Sequence, residues 1–139
     1  MTVFRVCDLE TSGLAPPEAG IVEVGWHDVD ESGTLSNPGW SLVNPGHPIP
    51  PVASAVHHIT DDEVQEAPPA DAVLARLING ADYFVAHNAA FDRQFFSGGG
   101  KPWICSMKVA RRVWPEAPAH SNQVLRYWRN LTIELPDRL

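Results

Sequence analysis

The sequence predicts a single α/β domain that opens with antiparallel strands and continues as a crossover half of alternating helix and strand. Three observations lead there. The first fifty residues hold three short apolar runs rich in Val, Ile, Phe and Trp, separated by turn residues. From Thr60 onward apolar residues recur at helical spacing, and the short apolar run DYFVAH interrupts the helices. The chain has 139 residues, 44% of them hydrophobic, which suits one domain with its own core.

Each element has a local reason. VFRVCDLE begins with an apolar run too short for a helix, and Val3, Phe4 and Val6 favour a strand. Thr11-Ser12-Gly13 reads as a loop, and Pro16 and Pro17 keep the next segment out of a helix. IVEVGWHDVD is the second strand. SNPG at 36–39 is expected to interrupt any tidy hairpin, so the third strand is placed in WSLVNPG at 40–46. Short connections make these three an antiparallel meander, because parallel neighbours need crossovers of about a dozen residues.

Thr60 and Glu63 have capping-box spacing, which predicts a short helix ending before Pro68-Pro69. In DAVLARLI, Val73, Leu74, Leu77 and Ile78 share one helical face, and Gly80 follows as a stop. DYFVAH is the fourth strand. AAFDRQFF is a helix with Phe91 and Phe95 on one side, Asn88 as its N-cap, and Gly98-Gly99-Gly100 after it. PWICSMKVARRVW holds a short strand and then a helix stopped by Pro115, and SNQVLRYWRNL is the last helix.

Composition excludes several classes. No run of about 18 apolar residues exists to span a membrane. The N-terminus lacks a basic segment followed by an apolar stretch, so no secretory signal is expected and the cytoplasm is the natural compartment. Cys7 and Cys105 make neither a disulfide framework nor a zinc set, and Cys7 is expected to be a buried thiol. The formal charge of −7 argues against a broad basic face for nucleic acid, but not against phosphate chemistry through bound metal. The five tryptophans, Trp26, Trp40, Trp103, Trp114 and Trp128, read mostly as core; Lys108, Arg111 and Arg112 read as a solvated helix face.

Three clusters could carry chemistry. Asp8 and Glu10 close an apolar strand and lie two apart, so both face one side. Ionised carboxylates placed together repel unless a cation joins them, and hard oxygen ligands suit Mg²⁺ or Mn²⁺; a solvated strand end is the plainer reading of D-x-E alone. His87 to Asp92 closes the fourth strand and opens a helix, where open α/β sheets place their sites. Taken singly, Asn88 is a cap, Asp92 a good helix-start residue and His87 a core-edge histidine. In His57-His58-Ile59-Thr60, His57 reads as a surface residue and His58 as one that anchors the loop.

Together these clusters resemble the DEDD-type 3′–5′ exonucleases, in the DEDDh branch that includes the proofreading subunit of bacterial DNA polymerase III. The motif D-x-E-T-[TS]-G is matched by Asp8-Leu9-Glu10-Thr11-Ser12-Gly13, the middle element H-x-I-T is placed at His58-Ile59-Thr60, and H-N-x-x-F-D is matched by His87 to Asp92. The resemblance implies a ribonuclease-H-like fold, a mixed five-stranded sheet with its first three strands antiparallel and helices flanking it. It implies removal of nucleoside monophosphates from DNA 3′ ends by two-metal hydrolysis with Mg²⁺ or Mn²⁺. Asp8 would bridge two ions, with Glu10 on one and Asp92 on the other. Leu9, Thr11, His58, Asn88 and Phe91 would bind the terminal nucleotide. The implied partner is a single-stranded or frayed 3′ end, DNA favoured, with a polymerase as a possible second partner. An RNA-trimming enzyme of the same family and a catalytically inactive nucleic-acid- or polymerase-binding module share these motifs and stay open.

One family element has no counterpart. The family closes its site with H-x-A-x-x-D, which supplies the general base and a fourth metal ligand. Here no histidine follows His120, and beyond Trp128 the carboxylates Glu134 and Asp137 lack that spacing. Residues 1–139 are therefore read as one exonuclease domain that is C-terminally incomplete, and these residues alone are expected to be almost inactive.

Overall fold

The structure, a computed structural model, describes residues 1–131; Glu134 and Asp137 lie outside them. Five strands form one mixed sheet in the order β3-β2-β1-β4-β5. β1 (Phe4–Thr11), β2 (Ile21–Val29) and β3 (Leu35–Leu42) pair antiparallel, and β4 (Tyr83–Ala86) and β5 (Trp103–Cys105) add in parallel on the other side of β1. The predicted mixed five-stranded sheet is the one observed. Its chain path runs from β3 through α1 (Pro51–His57), α2 (Asp61–Val64) and α3 (Ala70–Ile78) to β4, then through α4 (Ala89–Phe95) to β5, α5 (Ser106–Val113) and α6 (Asn122–Trp128).

Strand periodicity sorts β1 into two faces. Arg5, Cys7, Leu9 and Thr11 are buried, and Cys7 and Leu9 join Val24, Trp26, Val73, Leu77, Phe84 and Phe96 in the main core under α3. Cys7 is a buried free thiol, and burial pushes its pKa up to about 12, so it is inert. A second cluster of Val22, Ile49, Ile59 and Val64 fixes the segment around α1 and α2, and a third of Ala110, Ala117 and Leu125 joins α5 to α6.

Four features depart from the expectations. β3 starts at Leu35 and runs through Pro38, five residues earlier than read. It is an edge strand, where proline is tolerated, and its register shifts between Trp26 and Asp28. Gly39 lies against Trp26 so closely that a Cβ there would sit 1.9 Å from the indole Cε2. Helix α1 departs from the loop expected here: it is only seven residues long and none of them is buried, and Pro51 at its start supplies a preset φ. Trp40 is 54% exposed on the edge strand and belongs to no core. At α2 the Thr60 side chain caps no backbone N–H and instead points to Glu63 Oε1 at 3.5 Å.

Candidate active site

The site forms because β1 outruns its parallel neighbour. β4 pairs with β1 only from Phe4 to Val6, so the stretch from Cys7 to Thr11 has no strand on that side. α4 starts just after β4 and fills the gap with Asp92, which is 4% exposed. On β1 itself, Asp8 and Glu10 alternate with the buried residues and project from the opposite face. Two motifs distant in sequence thus meet at one strand end.

Electrostatics records the meeting. Burial raises the pKa of Asp8, Glu23 raises it further, and the Leu9 N–H and His87 oppose this. Glu10 is pushed up to about 7 by burial and by Asp8, Glu23 and Asp92. Asp92 is pushed up to about 6 by burial and Asp8, against hydrogen bonding from its own and the Leu9 backbone. These carboxylates lie within each other's field in a partly dry setting, which a hard cation would relieve. Carboxylate oxygen is a donor type that suits a divalent ion, although among the described residues no three His, Cys, Asp or Glu side chains converge into a metal cage.

Beside Glu10 lies a mostly apolar cleft of about 520 Å³, with Leu9, Thr11, His57 and Phe91 in its walls. Its rim carries Leu14, Val52 and Val56, all highly exposed. Thr11 is fixed by its hydroxyl, which donates to Gly13 O at 2.7 Å. Phe91 stacks at a tilt on Phe95, 5.4 Å between centroids, as the helical spacing predicts.

The two histidines exchange the places read for them. His57 Nε2 donates to Thr11 O at 3.1 Å while its Nδ1 accepts from the Ile59 N–H at 3.1 Å, so His57 ties the loop to the end of β1. Burial lowers its pKa. His58 is exposed at φ 61° as the C-cap of α1 and does not line the cleft. Adjacent residues at a helix end point apart, so only one of the pair could reach inward. Asn88 stands at the N-cap position of α4 but adopts φ 75° and makes no side-chain cap; it too lies outside the cleft.

On the far side of Asp8 a more open groove of about 840 Å³ runs over the sheet face, floored by Gly25 and walled by Trp40, His87 and Ser106. His87 Nε2 meets His120 O at 2.5 Å, so it carries the proton, and Nδ1 accepts from the Ser106 hydroxyl at 2.9 Å. His120 Nε2 donates to Trp114 O at 2.8 Å. Through these bonds both rings hold loops. One carboxylate near the site went unread in the sequence: Glu23, directly opposite Glu10 in the β1–β2 ladder. Its only sequence signal was its position in a strand, and pairing register is not a local property.

Residues 6–138 match the RNase_T family, described as exonuclease. The chain belongs to this exonuclease family. It is 40% identical over 137 residues to exodeoxyribonuclease 10 of Escherichia coli K12, covering 99% of this chain and 60% of that protein. The chain therefore spans under two thirds of the length of that relative. It is 36% identical over 97 residues to the DNA polymerase III subunit epsilon of Treponema pallidum, covering 68% of this chain and 44% of that one. Among solved structures it superposes on exonuclease X in complex with 5′-overhanging duplex DNA, with a TM-score of 0.85, 40% identity, and coverage of 96% of this chain and 77% of the other. Membership of the DEDD-type exonuclease family implies divalent-metal catalysis. Among the described residues no helix is long and apolar enough to cross a membrane.

Proposed function

We propose that this chain carries the metal-binding and nucleotide-binding parts of a divalent-metal-dependent 3′–5′ exonuclease acting on DNA 3′ ends. The observation that carries the reading is the meeting of Asp8 and Glu10 with the buried Asp92 at the end of β1, each with its pKa raised. Asp8, Glu10 and Asp92 are the residues that would hold Mg²⁺ or Mn²⁺, with two ions in the complete site. Bound there, the metal supplies activation of the attacking water and stabilisation of the leaving 3′ oxygen.

The chain's own residues do the positioning. Leu9, Thr11 and Phe91 present an apolar wall beside Glu10, suited to a nucleobase, which has an apolar face and needs no charge partner. His57 holds Thr11 and Ile59 in place behind it. The acidic surface supplies little attraction for DNA, so binding at the 3′ end depends on the cations and falls only modestly with salt. The likeness to a protein solved with 5′-overhanging duplex DNA favours a DNA 3′ end as the substrate.

The test is metal binding and oligonucleotide capture together. Mn²⁺ titration and capture of a 3′-labelled single-stranded DNA are expected to require Asp8, and capture is expected to exceed that of a matched RNA. Mn²⁺ and oligonucleotide binding that D8N leaves intact would overturn the reading, and tighter capture of RNA would move the substrate class.

A further inference from the structure

Strand pairing brings a fourth carboxylate to the site. In the antiparallel β1–β2 ladder Glu10 stands directly opposite Glu23, and Asp8 opposite Gly25; in the β2–β3 ladder Gly25 stands opposite Trp40. Residues directly opposed across antiparallel strands project from the same face with Cβ atoms about 5 Å apart. Glu23 therefore shares the face of Asp8 and Glu10. It is also anchored: the Trp40 indole Nε1 donates to Glu23 Oε2 at 2.7 Å. Gly25, with no side chain, leaves the space between Asp8 and Trp40 open, and Trp40 leans across it to the next row.

The arrangement works against the fold. Like charges directly opposed on neighbouring strands destabilise the pair. An exposed tryptophan on an edge strand that spends its N–H on holding that charge adds nothing to the core. Both features make sense if the charge is wanted at the end of β1. The field of Glu23 is felt by Asp8, by Glu10 and by His57, so it reaches the floor of the site from both sides.

We infer that Glu23, held by Trp40, is a positioning residue for the divalent cation site: it stands beside Glu10 on the same face of the sheet and strengthens cation binding by its charge. This rests on the assignment of Asp8, Glu10 and Asp92 as the cation ligands. Trp40 acts as the brace that keeps the carboxylate directed at the site.

The test uses Mn²⁺ binding, followed by calorimetry and by the electron paramagnetic resonance of free Mn²⁺, together with thermal unfolding of the metal-free protein at pH 8. Removing one charge near a divalent ion in a solvated setting weakens binding about five- to tenfold, which is expected for E23Q. The same substitution is expected to leave the melting temperature of the metal-free protein unchanged or higher, because repulsion with Glu10 is relieved. W40F, which keeps the charge but frees the carboxylate, is expected to weaken Mn²⁺ binding about two- to threefold. A purely structural Glu23 would show the opposite pattern, a lower melting temperature with unchanged Mn²⁺ affinity, and that result overturns the inference. Should E23Q not fold, the W40F titration decides, and unchanged affinity there overturns it. Mn²⁺ binding that survives D8N, or no binding by the parent protein, removes the ligand assignment and this inference with it; binding that is lost in D8N but untouched in E23Q and W40F removes the inference alone.

Discussion

Arg5 and Asp28 face each other across the β1–β2 ladder and lock together through two parallel hydrogen bonds, Nε to Oδ1 at 2.6 Å and Nη2 to Oδ2 at 2.8 Å. The pair lies on the core side of the strand that carries Asp8. Arg5 Nη1 also donates to Leu77 O and Asn79 O, both at 2.7 Å, and Asn37 Nδ2 donates to Asp28 Oδ2 at 2.9 Å. One guanidinium thus joins β1, β2 and the end of α3.

Breaking that clamp by removing one partner leaves an uncompensated buried charge, which costs about 3–5 kcal/mol. R5M and D28N are each expected to lose stability on that scale in urea unfolding. The Arg5 hydrogen bonds hold the Asp28 pKa below its ordinary value. A lowered carboxyl contributes stability above its unfolded pKa and loses it as pH falls through the folded one. The parent protein is therefore expected to lose this contribution below about pH 4, and D28N to show no such loss.

The site carboxylates have the opposite sign. Glu10 is raised to about 7 and Asp92 to about 6, so the metal-free fold binds protons that the unfolded chain releases. Stability from these groups is present below the unfolded values near pH 4 and is lost as pH rises through about 6 to 7. The melting temperature of the metal-free protein is expected to fall between pH 4.5 and 7.5. Mn²⁺ is expected to raise it more at pH 8 than at pH 5, and D8N is expected to flatten the decline.

His57 and His58 separate in the same way. H57A removes the partner of the Ile59 N–H and the Thr11 carbonyl, at a cost of about 1–2 kcal/mol, and is expected to weaken capture of a 3′-ended oligonucleotide. H58G places glycine at φ 61°, where it fits better than histidine, and is expected to leave stability and capture unchanged or improved. Urea unfolding and fluorescence anisotropy check both.

Two strand glycines make a further contrast. G39A drives a Cβ into the Trp26 indole and is expected to destabilise by about 1–3 kcal/mol. G25A meets nothing within 4 Å and is expected to cost little in thermal unfolding.

Local chemistry made much of the site legible. Period-two alternation placed Asp8 and Glu10 on one face of a strand, and the strand-to-helix passage from His87 to Asp92 placed a carboxylate at a helix start; both depend on neighbours within a few residues. The three-strand opening was readable for the same reason, since hydrophobic alternation and turn residues are local. α1 escaped because it is only seven residues long and buries nothing, and the start of β3 escaped because Pro38 is a poor strand residue except on an edge, which is a fact about the sheet.

The sequence by itself determined that two motifs some eighty residues apart supply carboxylates at strand ends, in an α/β sheet that starts antiparallel. Only the tertiary structure decided how they meet. β1 extends past β4, and the vacant side of the strand receives Asp92 from α4. Register then sets Glu23 opposite Glu10 and Arg5 opposite Asp28, and the direction of a helix end picks His57 over His58. These are pairings across long stretches of chain, fixed by which faces are buried together, and no spacing within one segment encodes them.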